Sequence, residues 1–212
     1  MNPWDARYAG ETYFYGTEPN TFLVEQAWRF APGSRLLCLA EGEGRNAVWL
    51  AGLGHRVTAV DSSAGGLRKA ERLAADRGVH VDWLEADLAV WPMGDAAWDG
   101  VVSIWAHVLP ELRQGVDAAI RAAVRPGGLL VLEHYHPRQL AYGTGGPPDA
   151  RMMATLEALH AAFPGWHAHH AVERDRDVRE GKGHHGLSHV TQVVLERPPL
   201  SAATQDSRAP AP

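Results

Sequence analysis

From Arg35 onward, short apolar runs alternate with amphipathic stretches, and this alternation constrains the fold more than any other feature of the chain. Segments 36–39, 56–60, 79–84, 100–104 and 129–133 read as strands. Segments 46–53, 67–77, 116–124 and 152–163 read as helices, stopped by Gly54, Gly78, Pro126-Gly127-Gly128 and Pro164-Gly165. Two extended segments, 167–174 and 188–197, follow without a helix between them, joined by a long polar loop at 175–186. Near-continuous apolar strands separated by helices imply a parallel sheet covered on both faces. The expected architecture is α/β: a Rossmann-like, doubly wound sheet closed at one edge by an antiparallel hairpin.

The 212 residues suit one domain, and 45% hydrophobic against 21% charged residues is enough for a core. Residues 35–197 form that domain. Residues 1–34 hold an aromatic, glycine-rich segment and a helix, and 198–212 read as a disordered tail. The net charge of −5, with no block of like charges, argues against a nucleic-acid partner, which needs a dense basic face. No apolar run is long enough to span a bilayer, and the start Met1-Asn2-Pro3-Trp4-Asp5 has no basic region followed by an apolar stretch, so no signal peptide is expected. The lone cysteine, Cys38, lies inside an apolar run and reads as a buried thiol. A cytoplasmic location and a small-molecule partner are expected; the oligomeric state is not legible.

Leu39-Ala40-Glu41-Gly42-Glu43-Gly44-Arg45-Asn46-Ala47 lies where the first strand turns into the first helix. Glycines there let a ligand approach the backbone, and the helix start offers free N–H groups. Asp61 ends the second strand, where a carboxylate can accept both hydroxyls of a ribose. Asp87 follows the third, where it can read an adenine amino group. Gly42-x-Gly44-x-x-Ala47 also satisfies the dinucleotide fingerprint, so a nicotinamide oxidoreductase competes. Asp87, the Arg125-Pro126-Gly127-Gly128 break and the closing hairpin count against it, and no Tyr-x-x-x-Lys pair supports it.

These pieces resemble the class I S-adenosylmethionine-dependent methyltransferases over roughly residues 35–135. The resemblance implies seven strands with the last antiparallel. It puts Gly42 and Gly44 beside the methionine part of the cofactor, Asp61 on the ribose and Asp87 near the adenine. It also puts Ser103-Ile104-Trp105 on the methionine and substrate side. Asn46, Ser62, Ala86 and Leu88 complete the expected cofactor set. The usual acid and first glycine of the family's motif are Cys38 and Ala40 here, so Glu41 is expected to take the polar role. Further motifs are similar to the tellurite-resistance and thiopurine methyltransferase-like group. They are Trp4-Asp5-x-Arg7-Tyr8, Tyr13-Phe14-Tyr15-Gly16-Thr17-Glu18-Pro19-Asn20, Gly44-Arg45-Asn46-Ala47, Ala106-His107, Gly143-Thr144-Gly145-Gly146-Pro147, and Glu180-Gly181 before His184 and His185.

A sulfonium methyl is already activated, so the chain must align the acceptor and exclude water. Trp4, Tyr8 and Tyr15 are expected to hold the cation by its attraction to ring faces and to form a lid. Tyr15 and His107 are the candidate catalytic residues, His107 as base for a hydroxyl acceptor. Glu133, His134, Tyr135 and Gln139 are candidates for the acceptor pocket. The expected acceptor is a small, soft nucleophile, a thiol or a chalcogen oxyanion, which needs no base. The alternative is a catalytically silent cofactor-binding protein. Among the 12 histidines, His167, His169, His170, His184, His185 and His189 raise a metal reading, but without a convergent ligand set no metal is expected.

Overall fold

A computed structural model describes residues 3–199; from residue 200 on, the tail expected at 198–212 lies outside the described residues. Seven strands form one sheet: β1 (Arg35–Leu39), β2 (Arg56–Asp61), β3 (Asp82–Glu85), β4 (Trp98–Ile104), β5 (Val124–Tyr135), β6 (His167–Glu180) and β7 (His184–Glu196). Their order is β3-β2-β1-β4-β5-β7-β6. The pairs β3–β2, β2–β1, β1–β4 and β4–β5 are parallel, and β7 runs antiparallel to both β5 and β6. The expected mostly parallel sheet with a reversed last strand is therefore present.

Alternating side chains divide the core into two faces. Leu37 and Leu39 point to one, with Val116 and Ile120 of α5 (Pro110–Ala123) and Leu159 of α6 (Leu156–Ala162). Leu36 and Cys38 point to the other, with Ala47 and Leu50 of α3 (Arg45–Gly52) and Phe22 and Leu23 of α2 (Thr21–Gln26). Cys38 is buried there, which pushes its thiol up. Helix α4 (Ala64–Asp76) packs on α3 and against α1 (Pro3–Tyr8). Strand order reverses between β1 and β4, and ligands of such sheets bind outside the strand carboxyl ends at that reversal.

Three expectations change. The polar stretch 175–186 is not a loop: β6 runs to Glu180, β7 starts at His184, and only Gly181-Lys182-Gly183 turn between them. Its inward positions, Arg176, Val178 and Glu180, include two charges that neutralise each other and their neighbours, which erased the apolar alternation. The helix expected over 152–163 begins only at Leu156, because the Thr155 hydroxyl caps Ala158 N–H at 3.1 Å. β3 is shorter than 79–84 suggests, since Val79 and Val81 pack against helices instead of joining the ladder.

Candidate active site

The carboxyl ends of β1, β2, β3 and β4, the N-terminal segment and the β6–β7 turn enclose a cavity of about 470 Å³. Twelve of the residues expected at the site line it: Trp4, Tyr8, Tyr15, Glu41, Asn46, Asp61, Ser62, Ala86, Asp87, Leu88, Ile104 and His107. Gly42, Gly44 and Ser103 do not. Gly42 turns the loop at φ 60 and donates its N–H to Asp61 Oδ2 at 2.8 Å, and a side chain there would strike the Tyr8 hydroxyl. Gly44 faces Ala70 and Trp83, so it serves the packing of α3 on α4. Ser103 is buried behind the site, its hydroxyl 3.2 Å from His134 Nε2.

One end of the cavity is acidic. Asp61 receives Gly42 N–H on one oxygen and Ser63 N–H on the other, and burial raises its carboxyl despite them. Glu41 caps α3 through the N–H groups of Asn46 (2.9 Å) and Ala47 (2.7 Å), while burial pushes its carboxyl up to about 7. Asp87 sits at the open side and caps its own turn through Ala89 N–H.

The other end is aromatic. The rings of Trp105 and Tyr135 stack at 4.4 Å, Trp105 and His184 lie 5.0 Å apart, and Tyr15 stacks on His184 at 4.7 Å. The Tyr135 hydroxyl and His184 Nδ1 are 2.8 Å apart. Burial depresses both imidazoles that line this end, His107 and His184, to about 3, so both are neutral. His107 Nδ1 faces the Met152 carbonyl at 3.3 Å, and its Nε2 is buried without a partner. His134 is also held neutral by burial, 4.8 Å from His107.

Residues outside the expected cofactor set hold the walls together, among them Glu133, which was expected in the acceptor pocket. Glu180 accepts from Arg45, from the Trp105 indole (2.6 Å), from Asn20 (2.8 Å) and from Arg176 (3.0 Å). Burial opposes its ionisation, yet these donors hold its carboxyl down at about 2. Glu133 accepts from Asn20, Gln192 and both arms of Arg176. The N-terminal segment is tied down in turn. Glu43 accepts Phe14 and Tyr15 N–H and pairs with buried Lys69, whose ammonium also holds the Gly10 and Thr12 carbonyls. Asp5 accepts from Ser63 Oγ at 2.6 Å and Gly65 N–H at 3.1 Å. Lys69 was detectable in sequence: it lies on the Gly66, Ala70, Leu73 stripe of α4, where a lone lysine needs a partner. Among the described residues no three His, Cys, Asp or Glu side chains converge to hold a metal, and no helix is long and apolar enough to cross a membrane.

A glycine turn opening onto a helix, and acids at the ends of two adjacent parallel strands, define a nucleotide-binding α/β domain. The comparisons narrow that class. Residues 36–128 match the model of a family described as a methyltransferase domain. Demethylmenaquinone methyltransferase of Clavibacter sepedonicus is 35% identical over 126 residues, 53% of this chain and 50% of that one. The chain spans about half the length of the curated relatives it matches. Among solved structures, one described as "Conversion of a Disulfide Bond into a Thioacetal Group during Echinomycin Biosynthesis" overlays with a TM-score of 0.75 at 20% identity, covering 96% of this chain and 95% of that one. N-methyltransferase NodS from Bradyrhizobium japonicum WM9, in complex with S-adenosyl-L-homocysteine, overlays with a TM-score of 0.67 at 13% identity, covering 92% and 96%. These two likenesses show the fold.

Proposed function

We propose that the protein is an S-adenosylmethionine-dependent methyltransferase acting on a small, soft acceptor, a thiol or a chalcogen oxyanion. That acceptor class is the one suggested by its motif likeness to the tellurite-resistance and thiopurine methyltransferase-like group. The observation that carries this reading is a cavity with carboxylates at one end and rings without a free base at the other. The residues present fit the cofactor. Asp61 and Asp87 stand at the ends of neighbouring strands, where ribose hydroxyls and an adenine amino group find acceptors. Gly42 leaves room for the Tyr8 ring, which lines the cavity. Glu41, Asp61 and Asp87 favour a cationic ligand electrostatically, and Trp4, Tyr8 and Tyr15 offer ring faces to it.

When bound, the cofactor supplies a methyl group already activated on a sulfonium sulfur. The chain's own residues bind, orient and exclude water. Trp4, Tyr8 and Tyr15 close over the site from the N-terminal segment, and Trp105 and His184 form the acceptor wall. None of the imidazoles there is basic enough to take a proton near neutrality. Glu133 and Glu180 are committed to Arg176 and Arg45. An acceptor that gives up its proton to solvent before the transfer, a thiol reacting as its thiolate, or that carries none, a chalcogen oxyanion, fits such a pocket. The sulfur chemistry attributed to the structural neighbour on the echinomycin path supports a sulfur acceptor.

Calorimetry with S-adenosylhomocysteine and with NADH tests the cofactor. Only the former should bind, and Asp61→Ala should weaken it by about 1.5–3 kcal/mol. Tight NADH binding without S-adenosylhomocysteine binding would overturn the reading. A panel of thiols, selenite and tellurite tests the acceptor; methylation of a phenol or amine alone would remove the soft-acceptor part.

A further inference from the structure

Two guanidinium groups line the cavity, and they are not equivalent. Arg45 is ion-paired with Glu180 and also donates to the Glu18 carbonyl at 3.2 Å. Arg7 lies across the rings of Trp4 and Phe14, 4.7 and 5.3 Å from their centres, and donates one N–H to the Tyr15 hydroxyl at 2.7 Å. Among the described residues no carboxylate pairs with it, and its other N–H donors are unspent. Tyr15 is in a complementary state. Its oxygen accepts from Arg7, so its own O–H proton must point elsewhere, and no described residue accepts it. A hydroxyl that accepts from a cation is a stronger donor in turn. His184 stacks beneath the Tyr15 ring, and Glu43 holds the Tyr15 backbone, so this donor pair is fixed in place.

A charge-bearing donor and a polarised hydroxyl, adjacent and both facing one cavity, match the two oxygens of a carboxylate. Elsewhere the cavity walls carry the carboxylates of Asp61 and Asp87, so an anionic group is favoured at the Arg7 end. We infer that Arg7 and Tyr15 form an oxyanion seat that fixes one end of the ligand by its carboxylate. The inference rests on the methyltransferase reading above and adds a specificity element to it. The carboxylate has two sources, the amino-acid end of the cofactor or an acidic group on the acceptor.

S-adenosylhomocysteine and methylthioadenosine separate the sources, because they share the adenosine and the sulfur and differ in the amino-acid group. Affinities of both are measured on the wild type, Arg7→Gln and Tyr15→Phe. Thiol turnover is compared for thioglycolate, which carries a carboxylate, and 2-mercaptoethanol, which does not. With the cofactor as source, Arg7→Gln weakens S-adenosylhomocysteine by about 10- to 100-fold, the range for losing a charged hydrogen bond, and leaves methylthioadenosine within about twofold. Tyr15→Phe follows with a smaller loss of the same selectivity. With the acceptor as source, both nucleosides are unaffected and the KM of thioglycolate alone rises. Equal loss of both nucleosides means that Arg7 only staples the aromatic segment, and overturns the inference. So does a variant unchanged in every measurement. A wild type that binds neither nucleoside sinks the methyltransferase reading, and this inference with it.

Discussion

Trp105 holds its backbone at φ 57, a left-handed conformation that bulky L-residues adopt only under constraint. Such a residue costs on the order of 1–3 kcal/mol. Its N–H on the Glu133 carbonyl (2.9 Å), its indole on Glu180 and its stack on Tyr135 hold it there. The turn at Trp105 also brings His107 back over the cavity, beside His134. His107→Gln tests whether that imidazole is a base. Thiol turnover should stay within about tenfold of wild type, whereas a general base would cost about 10²–10⁴-fold. Its linkage gives a second readout. The folded-state value near 3 lies below the ordinary 6.5, so between these the unfolded chain binds more protons. Stability from this group is complete above pH 6.5 and is lost as pH falls, by at most about 1.4 kcal/mol per unit. Denaturant titrations at pH 7 and pH 5 should therefore show a smaller loss in His107→Gln than in the wild type. An equal loss would mean that His107 already titrates normally.

At the scale of elements, the β6–β7 turn and the N-terminal segment act as one roof. Lys182 N–H binds the Phe14 carbonyl at 2.8 Å, and a side chain on Gly183 would overlap the Tyr15 and Phe14 rings. Gly183→Ala should push those rings off the turn, at a cost of about 1–3 kcal/mol for overpacking. Hydrogen exchange should then show lost protection over residues 10–18 with the β1–β5 ladder intact, together with lost turnover. Unchanged exchange there would show that roof and turn are independent. The N-terminal segment reads as a lid from its aromatics, but the turn does not read as a wall of the site. The turn is flanked by charged residues that look solvated in sequence. Their burial becomes visible only once Arg45, Glu133 and the β6 pair Arg176 and Glu180 are brought together from three separate stretches of chain.

At the scale of the molecule, the matched methyltransferase stretch, 36–128, is not a self-sufficient unit. β5 is paired along seven residues by β7, and Val193, Val194 and Leu195 are buried against the two faces of the core. Burying three such side chains is worth roughly 1.5–3 kcal/mol each. Their sum is comparable with the entire stability of an ordinary domain. A chain ending at Tyr135 should therefore show no cooperative thermal transition by circular dichroism and should aggregate through the bare β5 edge. A soluble, cooperatively melting fragment would contradict this.

The order of strands and helices from 35 to 135, and the places of Glu41, Asp61 and Asp87, were legible in the sequence. Both depend on local periods and on short spacings at strand ends, which act within a few residues. Tertiary structure alone decided three things: that polar residues 175–180 continue the edge strand β6, that Gly44 serves packing and not a ligand, and that Arg45 meets a carboxylate while Arg7 meets none among the described residues. Each turns on whether a charge or a gap finds its complement across more than 100 residues of chain or between packed helices, as Arg45 with Glu180 and Gly44 with Ala70. Periodicity carries no record of such partners, because the desolvation that makes them matter exists only after the sheet has closed.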